Sequence, residues 1–298
     1  MRKLIITGAS GFVGQNLCKY LNDSYHIIGI GRNEKVNYDN FMKVRCEAII
    51  HLAGKAHDLK NVSKPEEYYQ ANFDLTKRIY DAFLNSDAQT FVFLSSVKAV
   101  ADEVKVVLTE GVIPNPQTHY GKSKLLAENY ILENLSPNKR VFILRPCIIH
   151  GEGNKGNLNL LFSIVKKGIP YPLGAYENVR SYLTITNLCF VIKGILENNS
   201  IKSGIYNVAD DDAISTKELV MLINKALGKN VRIIKMPKGF VKVIAKIGDI
   251  LHLPLNSDRL DKLTNNYEVS NKKICDSINQ RLPFSTKDGL LKTFSTFE

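Results

Sequence analysis

The sequence predicts an α/β fold: a doubly wound parallel sheet with helices on both faces, followed by a smaller, mostly helical C-terminal lobe. Three observations predict it. A strand, a glycine turn and a helix follow one another at the start of the chain. Short apolar runs then recur, separated by segments long enough for helices. These runs are nearly continuous rather than alternating, as in parallel strands that are covered on both faces.

The first element is an apolar run, Lys3–Ile6, that leads into the glycine turn Thr7–Gly14. Apolar residues recur at helical spacing over residues 15–21, so the order is strand, turn and helix. In a dinucleotide site, one such glycine makes the turn, one admits the pyrophosphate and one brings the helix close to the strand. The free N–H groups at the helix N-terminus then bind the phosphates. The alternative is an ordinary turn between a strand and a helix.

The second apolar run, His26–Ile30, ends at Gly31 and Arg32. Sites that prefer NAD place an Asp or Glu at this strand end for the ribose 2′-hydroxyl, whereas an arginine suits the 2′-phosphate of NADP. Because Arg32 rather than an acid stands there, the strand end favours NADP. The alternative is an exposed arginine that binds no ligand. Only 16 residues separate Gly31 from Ala48, so the usual helix and strand between them must be abbreviated.

The next two apolar runs end in small or polar residues. The run Glu47–Leu52 leads to Gly54, and the run Thr90–Leu94 stops at Ser95 and Ser96. In doubly wound sheets the carboxyl ends of the strands border the ligand crevice, so the two serines lie where a site is expected. The alternative is a serine pair that only caps the strand.

Tyr120 and Lys124 lie four residues apart, so on a helix they share one face. A lysine ammonium close to a phenol favours the phenolate and lowers the pKa of the tyrosine from its ordinary value of roughly 10. Such a tyrosine can act as a general acid or base near neutral pH. Alone, this spacing is typical of an ordinary helix surface. Here it follows the glycine turn and Ser96, which favours a catalytic pair.

The later elements are less regular. We expect strands at 141–144 and 203–209, a loop at 152–159 and helices at 72–84, 160–167 and 186–196, with helices dominating from residue 215 onward. The segment Lys235–Leu251 is basic and amphipathic. Its apolar residues include Phe240, Val241, Ile244, Ile247 and Ile250, and its lysines include Lys238, Lys242 and Lys246. Such a helix can lie on a membrane surface, but packing within the C-terminal lobe is the preferred interpretation.

Composition excludes several functional classes. An apolar content of 44% over 298 residues allows one large or two small domains with full cores. No apolar stretch is long enough for a transmembrane helix or a signal peptide. The five cysteines form no C-x-x-C pair, which indicates a reduced, cytoplasmic protein without a metal site. The net charge of +11 suits nucleotide diphosphates or reflects solvated lysines, and no basic tract with aromatic residues indicates nucleic acid.

These motifs, in this order and spacing, resemble the extended short-chain dehydrogenase/reductases, the NAD-dependent epimerase/dehydratase family. They are the glycine turn, His51-Leu52-Ala53-Gly54, Ser95-Ser96, Tyr120 with Lys124, and Arg145-Pro146. The likeness covers nearly the whole chain. The segments 51–57, 95–98 and 156–181 are similar to a bacterial branch, UDP-glucose 4-epimerase-like, that serves surface-polysaccharide synthesis. That branch includes NADPH-dependent reductases of UDP-4-keto-6-deoxy-N-acetylhexosamines.

The resemblance implies a Rossmann domain for the cofactor and a lobe for a nucleotide sugar. Tyr120 would move the proton at the sugar 4-oxygen, Lys124 would hold the nicotinamide ribose and lower the pKa of Tyr120, and Ser96 would bind the 4-oxygen. The implied cofactor residues are Gly8, Ser10, Gly11, Phe12, Val13, Gly14, Arg32, Leu52, Ala53, Gly54, Tyr120, Lys124 and Pro146. The implied substrate residues are Ser96, Lys98, Asn157, Arg180 and Arg259, with the two arginines on the diphosphate.

Two positions depart from the family pattern. Ser181 replaces the Asp that usually follows the substrate arginine, and Val100 stands where the family has a sugar-contacting tyrosine. The resemblance further implies NADP, or NAD as the alternative, a UDP-sugar substrate and a homodimer through the helix that bears Tyr120. From the composition we expect no nucleic-acid partner and no stable membrane insertion.

The expected reaction is reduction of a 4-keto sugar, because Arg32 favours a cofactor that is exchanged in each cycle. The alternative is a UDP-hexose 4-epimerase that keeps NAD tightly bound. A non-catalytic NADP sensor is a third interpretation, which the presence of Tyr120 and Lys124 disfavours. Residues 1–150 with about 179–210 are expected to form the dinucleotide-binding domain, and about 151–178 with 211–298 the nucleotide-sugar-binding lobe.

Overall fold

This computed structural model describes residues 1–31, 44–56, 63–154, 156–251 and 256–297. Its strands form one large sheet and one small sheet. They are β1 (Arg2–Thr7), β2 (Tyr25–Ile30), β3 (Ala48–His51), β4 (Thr90–Leu94), β5 (Arg140–Pro146), β6 (Ile148–His150), β7 (Tyr182–Thr184) and β8 (Gly204–Val208). In the described part of the chain the large sheet is parallel with the order β2-β1-β3-β4-β5-β8, and β6 pairs with β7. Strand order reverses at β1, which places a crevice at the carboxyl ends of β1 and β3.

Helices cover both faces of the sheet and build the later chain. They are α1 (Phe12–Leu21), α2 (Pro65–Tyr69), α3 (Leu75–Leu84), α4 (His119–Glu133), α5 (Asn157–Lys166), α6 (Ile185–Glu197), α7 (Thr216–Leu227), α8 (Lys238–Leu251), α9 (Ser257–Thr264), α10 (Lys272–Ile278) and α11 (Thr286–Ser295). A π-helical turn, Gln70–Asp74, joins α2 to α3, and a 3-10 turn, Val97–Ala99, follows β4.

Both faces of the sheet are buried, which explains the continuous apolar strands. In β4, Phe91 and Phe93 pack in a core with α3 and α4, whereas Val92 between them packs in a core with α1 and α6. All three side chains are fully buried. The predicted doubly wound parallel fold is therefore confirmed.

A third core lies under the later helices and contains no residue of the large sheet. It buries residues from α5, α7, α8 and α11, among them Leu158, Phe162, Val220, Val241 and Phe294. We propose this group as the substrate lobe. In contrast, Ile274 and Ile278 of α10 pack in the core beside α6 and β8, so we assign residues 267–282 to the sheet domain rather than to the lobe.

Two helices begin earlier than the sequence predicts. The helical segment expected from residue 72 begins at Pro65, because proline suits the first helical position and the Glu67 carboxylate accepts from the Lys64 N–H at 3.1 Å. Helix α5 begins at Asn157, inside the expected loop. There the Asn159 side chain accepts from the Gly156 N–H at 3.0 Å and caps the first turn.

Further features of the described residues bear on function. No helix in these ranges is both long enough and apolar enough to cross a bilayer. The five cysteines are free thiols. Across the same ranges no cluster of His, Cys, Asp and Glu side chains has the form of a metal site.

Candidate active site

The glycine turn between β1 and α1 is shaped by two close backbone approaches. Gly8 has a φ of +72°, and a Cβ there would lie 2.7 Å from the Ala53 nitrogen. A Cβ on Gly14 would lie 2.2 Å from the Gly8 carbonyl oxygen. Gly11 begins α1 without a capping side chain, so the N–H groups of residues 12–14 have no intrahelical partner. The close glycine packing and these N–H groups fit a dinucleotide diphosphate.

His51, at the end of β3, links the end of β1 to helix α3 through two hydrogen bonds. Its Nδ1 lies 2.6 Å from the Thr7 hydroxyl, and its Nε2 lies 2.9 Å from the Thr76 hydroxyl. Because Thr76 donates to the Asn72 carbonyl at 2.6 Å, we assign the ring proton to Nε2, which donates to Thr76. Burial, with a smaller effect of the Lys124 ammonium, lowers the pKa of His51 from 6.5 to about 3. His51 is therefore a neutral, structural residue.

Asn72 joins the loop after β3 to α4. It is fully buried in the π-helical turn, and its Oδ1 accepts from the Lys55 N–H at 2.8 Å. Its amide group donates to the Ser123 hydroxyl at 3.0 Å, and Ser123 donates to the Tyr120 carbonyl at 2.8 Å. A Cβ on Gly54 would lie 2.7 Å from Asn72 Oδ1, so this loop needs glycine. Sequence reasoning missed this role; the available signal was a polar residue inside a helical segment.

Two local caps bring Ser96 and Tyr120 together. Ser96 begins the 3-10 turn after β4. Thr118 begins α4 by accepting from the Gly121 N–H at 3.2 Å, and its hydroxyl donates to the Asp102 carboxylate at 3.1 Å. The side chains of Ser96 and Tyr120 are hydrogen-bonded to each other. The two residues therefore place a hydroxyl and a phenol at the carboxyl end of the sheet.

The pKa of Tyr120 is raised above 10.0. Burial is the main cause, the hydrogen bond with Ser96 acts in the opposite direction, and Tyr68 adds to the rise. The expectation that Lys124 lowers this pKa is therefore wrong for this geometry. Tyr120 and Lys124 lie on the same helix face, but this does not determine the direction in which the long Lys124 side chain extends its ammonium group.

The Lys124 ammonium is directed to the sheet. Its Nζ donates to the Leu94 carbonyl at 2.9 Å and lies 4.8 Å from the ring centre of Phe93. A Cβ on Gly54 would lie 3.2 Å from the same Nζ, so the ammonium borders the loop after β3. Burial lowers the pKa of Lys124 from 10.5 to about 8, and Glu128 opposes that change. Lys124 is therefore a cation at neutral pH, next to the crevice.

A buried ion pair between Glu128 and Arg145 attaches helix α4 to the sheet. The Arg145 Nε lies 3.0 Å from one carboxylate oxygen of Glu128 and 3.1 Å from the other, and the Ser95 hydroxyl donates to the same carboxylate. The Glu128 and Arg145 side chains are 0% and 3% exposed. Sequence analysis placed Ser95 where a site is expected but predicted neither its contact with Glu128 nor a role for Glu128, because these contacts join β4, α4 and β5 across the fold. The pair fixes α4 against the sheet.

Two proposed substrate residues, Lys98 and Arg180, lie beside Tyr267. The Lys98 Nζ lies 4.5 Å from the ring centre of Tyr267 and donates to the Asp102 carbonyl at 2.6 Å. Arg180 pairs with Tyr267 through its backbone, and its charge opposes the rise that burial causes in the pKa of Tyr267. Both residues therefore adjoin Tyr267, whose hydroxyl lies 3.2 Å from the Val97 carbonyl in the 3-10 turn.

The family departures at positions 100 and 181 have structural explanations. Ser181 is buried, and its hydroxyl accepts from the Val269 N–H at 2.9 Å. Val100 is fully buried in the sheet core. Neither side chain therefore replaces the polar contact that the family residue makes.

The remaining candidates lie at element ends. Leu52 and Ala53 donate their N–H groups to Thr7, to its carbonyl at 3.1 Å and its hydroxyl at 3.3 Å. Ser10 is exposed in the glycine turn, and Pro146 is buried at the end of β5. Arg259 is exposed in the first turn of α9, and Asn157 is exposed at the start of α5, so their contact with a substrate stays a prediction. Arg32 lies outside the described residues.

The sequence is similar to a known protein family and to curated proteins. A family model described as the NAD dependent epimerase/dehydratase family matches residues 4–209. UDP-glucose 4-epimerase of Vibrio cholerae is 27% identical, over 99% of this chain and 95% of that protein. The N-acetyl-alpha-D-glucosaminyl-diphospho-ditrans,octacis-undecaprenol 4-epimerase of Escherichia coli O157:H7 is 28% identical, over 78% of this chain and 75% of that protein.

A solved structure shares the fold. UDP-glucuronic acid 4-epimerase from Bacillus cereus, in complex with NAD, aligns with a TM-score of 0.79 at 17% identity. The alignment covers 99% of this chain and 98% of that one. The likeness of fold therefore extends over nearly the whole of both chains.

Proposed function

The chain belongs to the NAD-dependent epimerase/dehydratase family, and from that premise we propose that it is a nucleotide-sugar 4-epimerase. Its substrate would be a UDP-hexose or UDP-N-acetylhexosamine, inverted at C4. The similarity to UDP-glucose 4-epimerase, which extends over 99% of this chain, supports epimerisation over the reductase reaction that the sequence alone favoured.

One observation carries the proposal: the gathering of Ser96, Tyr120 and Lys124 at the carboxyl ends of β1, β3 and β4, beside the glycine turn. Tyr120 is hydrogen-bonded to Ser96, and the Lys124 ammonium binds the carbonyl of Leu94 at the end of β4. A proton carrier, a hydroxyl donor and a fixed cation at a dinucleotide crevice fit hydride chemistry on an alcohol or ketone.

Each residue then has a role that its chemistry supports. A bound nicotinamide would supply the hydride chemistry, namely removal of a hydride from C4 and its return to the opposite face of the 4-ketone, which inverts C4. Tyr120 takes the proton from the 4-hydroxyl during oxidation and gives it back to the 4-oxygen during reduction. Its raised pKa keeps the phenol protonated at neutral pH, the form that serves the reduction step. Ser96 donates to the same oxygen, and Lys124 holds the ribose hydroxyls.

The substrate carrier is proposed to be a diphosphate. Relatives act on sugars carried by UDP or by diphospho-undecaprenol, and both carriers contain that group. Arg180 and Lys98 are the cations near the 3-10 turn that support diphosphate binding, and Arg259 is a further candidate. We also propose Asn157 as a polar contact to the nucleotide sugar.

The second candidate is an NADPH-dependent reductase of a UDP-4-keto sugar. One sequence observation favours it: Arg32, rather than an acid, follows the second strand. Both reactions would share the reduction of a 4-ketone by hydride from the dinucleotide, assisted by the same three residues. They differ in whether the dinucleotide stays bound or is exchanged.

The two reactions are separated by identifying the bound dinucleotide. The purified protein is denatured, and the released nucleotide is quantified by chromatography. Stoichiometric NAD, together with interconversion of UDP-glucose and UDP-galactose or of their N-acetyl forms, supports the epimerase. NADPH oxidation that depends on a UDP-4-keto sugar, with no epimer formed, supports the reductase. Failure of both assays with a folded protein would refute the proposed function.

A further inference from the structure

Helix α8 has two apolar faces, and only one of them packs against the lobe. The buried face is narrow and consists of Val241, Ala245 and Gly248. The other face exposes Phe240, Val243, Ile247, Ile250 and Leu251, with exposed fractions of 54%, 54%, 46%, 77% and 62%. Among the described residues, 17 large hydrophobic residues are exposed, and five of them lie on this one helix. We call these five residues the α8 stripe.

A row of positive charge follows one side of the α8 stripe. Lys238, Lys242 and Lys246 recur every four residues, so they line up along one flank of the helix, and all three are exposed. The only acid within α8 is Asp249, whose carboxylate accepts from the Ser257 N–H at 2.9 Å and from its hydroxyl at 2.6 Å. The flank is therefore positive beside an apolar face.

We propose that α8 docks this protein on an anionic lipid surface. An exposed apolar stripe flanked by lysines is the pattern of a helix that lies in the plane of a membrane interface, with its lysines reaching the headgroups. At 14 residues the helix spans about 21 Å, less than the roughly 30 Å hydrocarbon core, so it lies on the bilayer rather than across it.

Charge favours lipid over a second copy of this chain. The protein carries a net charge of +11, so two copies that meet at α8 would bring like charges together. Anionic headgroups instead attract the lysines, while the acyl boundary buries the α8 stripe. This inference concerns a surface of the lobe and does not depend on the reaction proposed above.

The test is flotation of the full-length protein with vesicles of phosphatidylcholine alone or mixed with phosphatidylglycerol. We expect binding to the mixed vesicles that weakens as salt is added. Replacing all three lysines by glutamine (Lys238→Gln, Lys242→Gln, Lys246→Gln) should reduce the partition coefficient ~100-fold, about fivefold for each lysine. A control that removes the same charge elsewhere (Lys167→Gln, Lys202→Gln, Lys217→Gln) should retain most of the binding.

The apolar contribution has a matched control as well. The triple variant Phe240→Ser, Ile247→Ser, Ile250→Ser should lose vesicle binding, whereas Val106→Ser, Ile113→Ser, Leu135→Ser removes three exposed apolar side chains elsewhere and should not. Thermal melting and circular dichroism establish that each variant is folded. Sedimentation velocity then measures the oligomeric state of the wild type and of the α8 variants.

Three results would overturn the proposal. The wild type could fail to bind either kind of vesicle. The α8 variants could bind as well as the wild type. Alternatively, the α8 variants could change only the oligomeric state, which would make the α8 stripe a protein interface.

Discussion

The guanidinium of Arg145 and the carboxylate of Glu128 form a buried ion pair between the sheet and the proposed catalytic helix, with Nε 3.0 Å from Oε1. Glu128 lies one helical turn beyond Lys124 on α4, and Arg145 lies at the end of β5. The pair therefore couples the sheet to the helix that bears Tyr120 and Lys124. The contribution of this ion pair is tested by measuring the free energy of unfolding of variants rather than their enzyme activity.

We expect Arg145→Met to destabilise the protein by about 3–5 kcal/mol, because it leaves the Glu128 charge buried without a partner. The double variant Arg145→Met/Glu128→Met should recover much of that loss, since no uncompensated charge remains. Urea unfolding of the wild type, both single variants and the double variant measures the coupling. Strictly additive losses would show that the two side chains do not act as a pair.

Gly8→Ala should abolish dinucleotide binding and lower the melting temperature. The new Cβ would lie 2.7 Å from the Ala53 nitrogen, and the φ of +72° would add left-handed strain. Gly168→Ala is the matched control, because Gly168 has a φ of +75° but no atom within 4 Å of the added Cβ. That variant should lose only about 1–2 kcal/mol and should bind the dinucleotide normally. Equal effects at both positions, measured by calorimetric titration and melting, would refute the close-approach explanation.

Lys124→Met should raise the melting temperature at pH 7, although it removes the cation proposed to hold the ribose. The pKa of Lys124 falls from 10.5 to about 8 on folding, so between these values the unfolded chain holds more protons than the folded one. The wild type therefore gains stability from this lysine as pH rises from about 8 to 10.5. The advantage of Lys124→Met should shrink over that range. A constant difference between the two proteins would contradict the lowered pKa.

The lowered pKa of His51 predicts a loss of protein stability at acid pH. Its pKa falls from 6.5 to about 3 on folding, so below pH 6.5 the unfolded chain binds a proton that the folded protein excludes. Stability should decline as pH falls from 6.5 towards 3, and His51→Gln should remove that part of the decline. The measurement is unfolding free energy against pH for both proteins. Parallel curves would exclude His51 as the cause.

Local pattern was enough to predict the framework of the fold. Short apolar runs, each buried on both sides, locate the strands, and the glycines of the first turn mark the place where α1 approaches β1. The spacing of Tyr120 and Lys124 correctly predicts that they lie on one helix, because a helix is a local structure.

Contacts between distant parts of the chain were not predictable from such patterns. Asn72 is hydrogen-bonded to Lys55 and to Ser123 of α4, and Glu128 of α4 pairs with Arg145 of β5. The direction of the Lys124 side chain likewise depends on the Leu94 carbonyl of a separate strand, which is why the predicted effect on Tyr120 was wrong. Residue 32, on which the preference for NADP depends, lies outside the described residues.

The central claim is that the Tyr120 phenol moves the proton at the sugar 4-oxygen. The direct measurement is turnover of a UDP-hexose by Tyr120→Phe, with dinucleotide binding measured on the same sample. Tyr69→Phe is the control, because the Tyr69 hydroxyl lies 3.2 Å from His119 Nδ1 and has no role in the proposed chemistry. We predict that Tyr120→Phe loses about 10²–10⁴-fold in turnover with its cofactor affinity retained, while Tyr69→Phe stays active. Wild-type turnover by Tyr120→Phe would contradict the account.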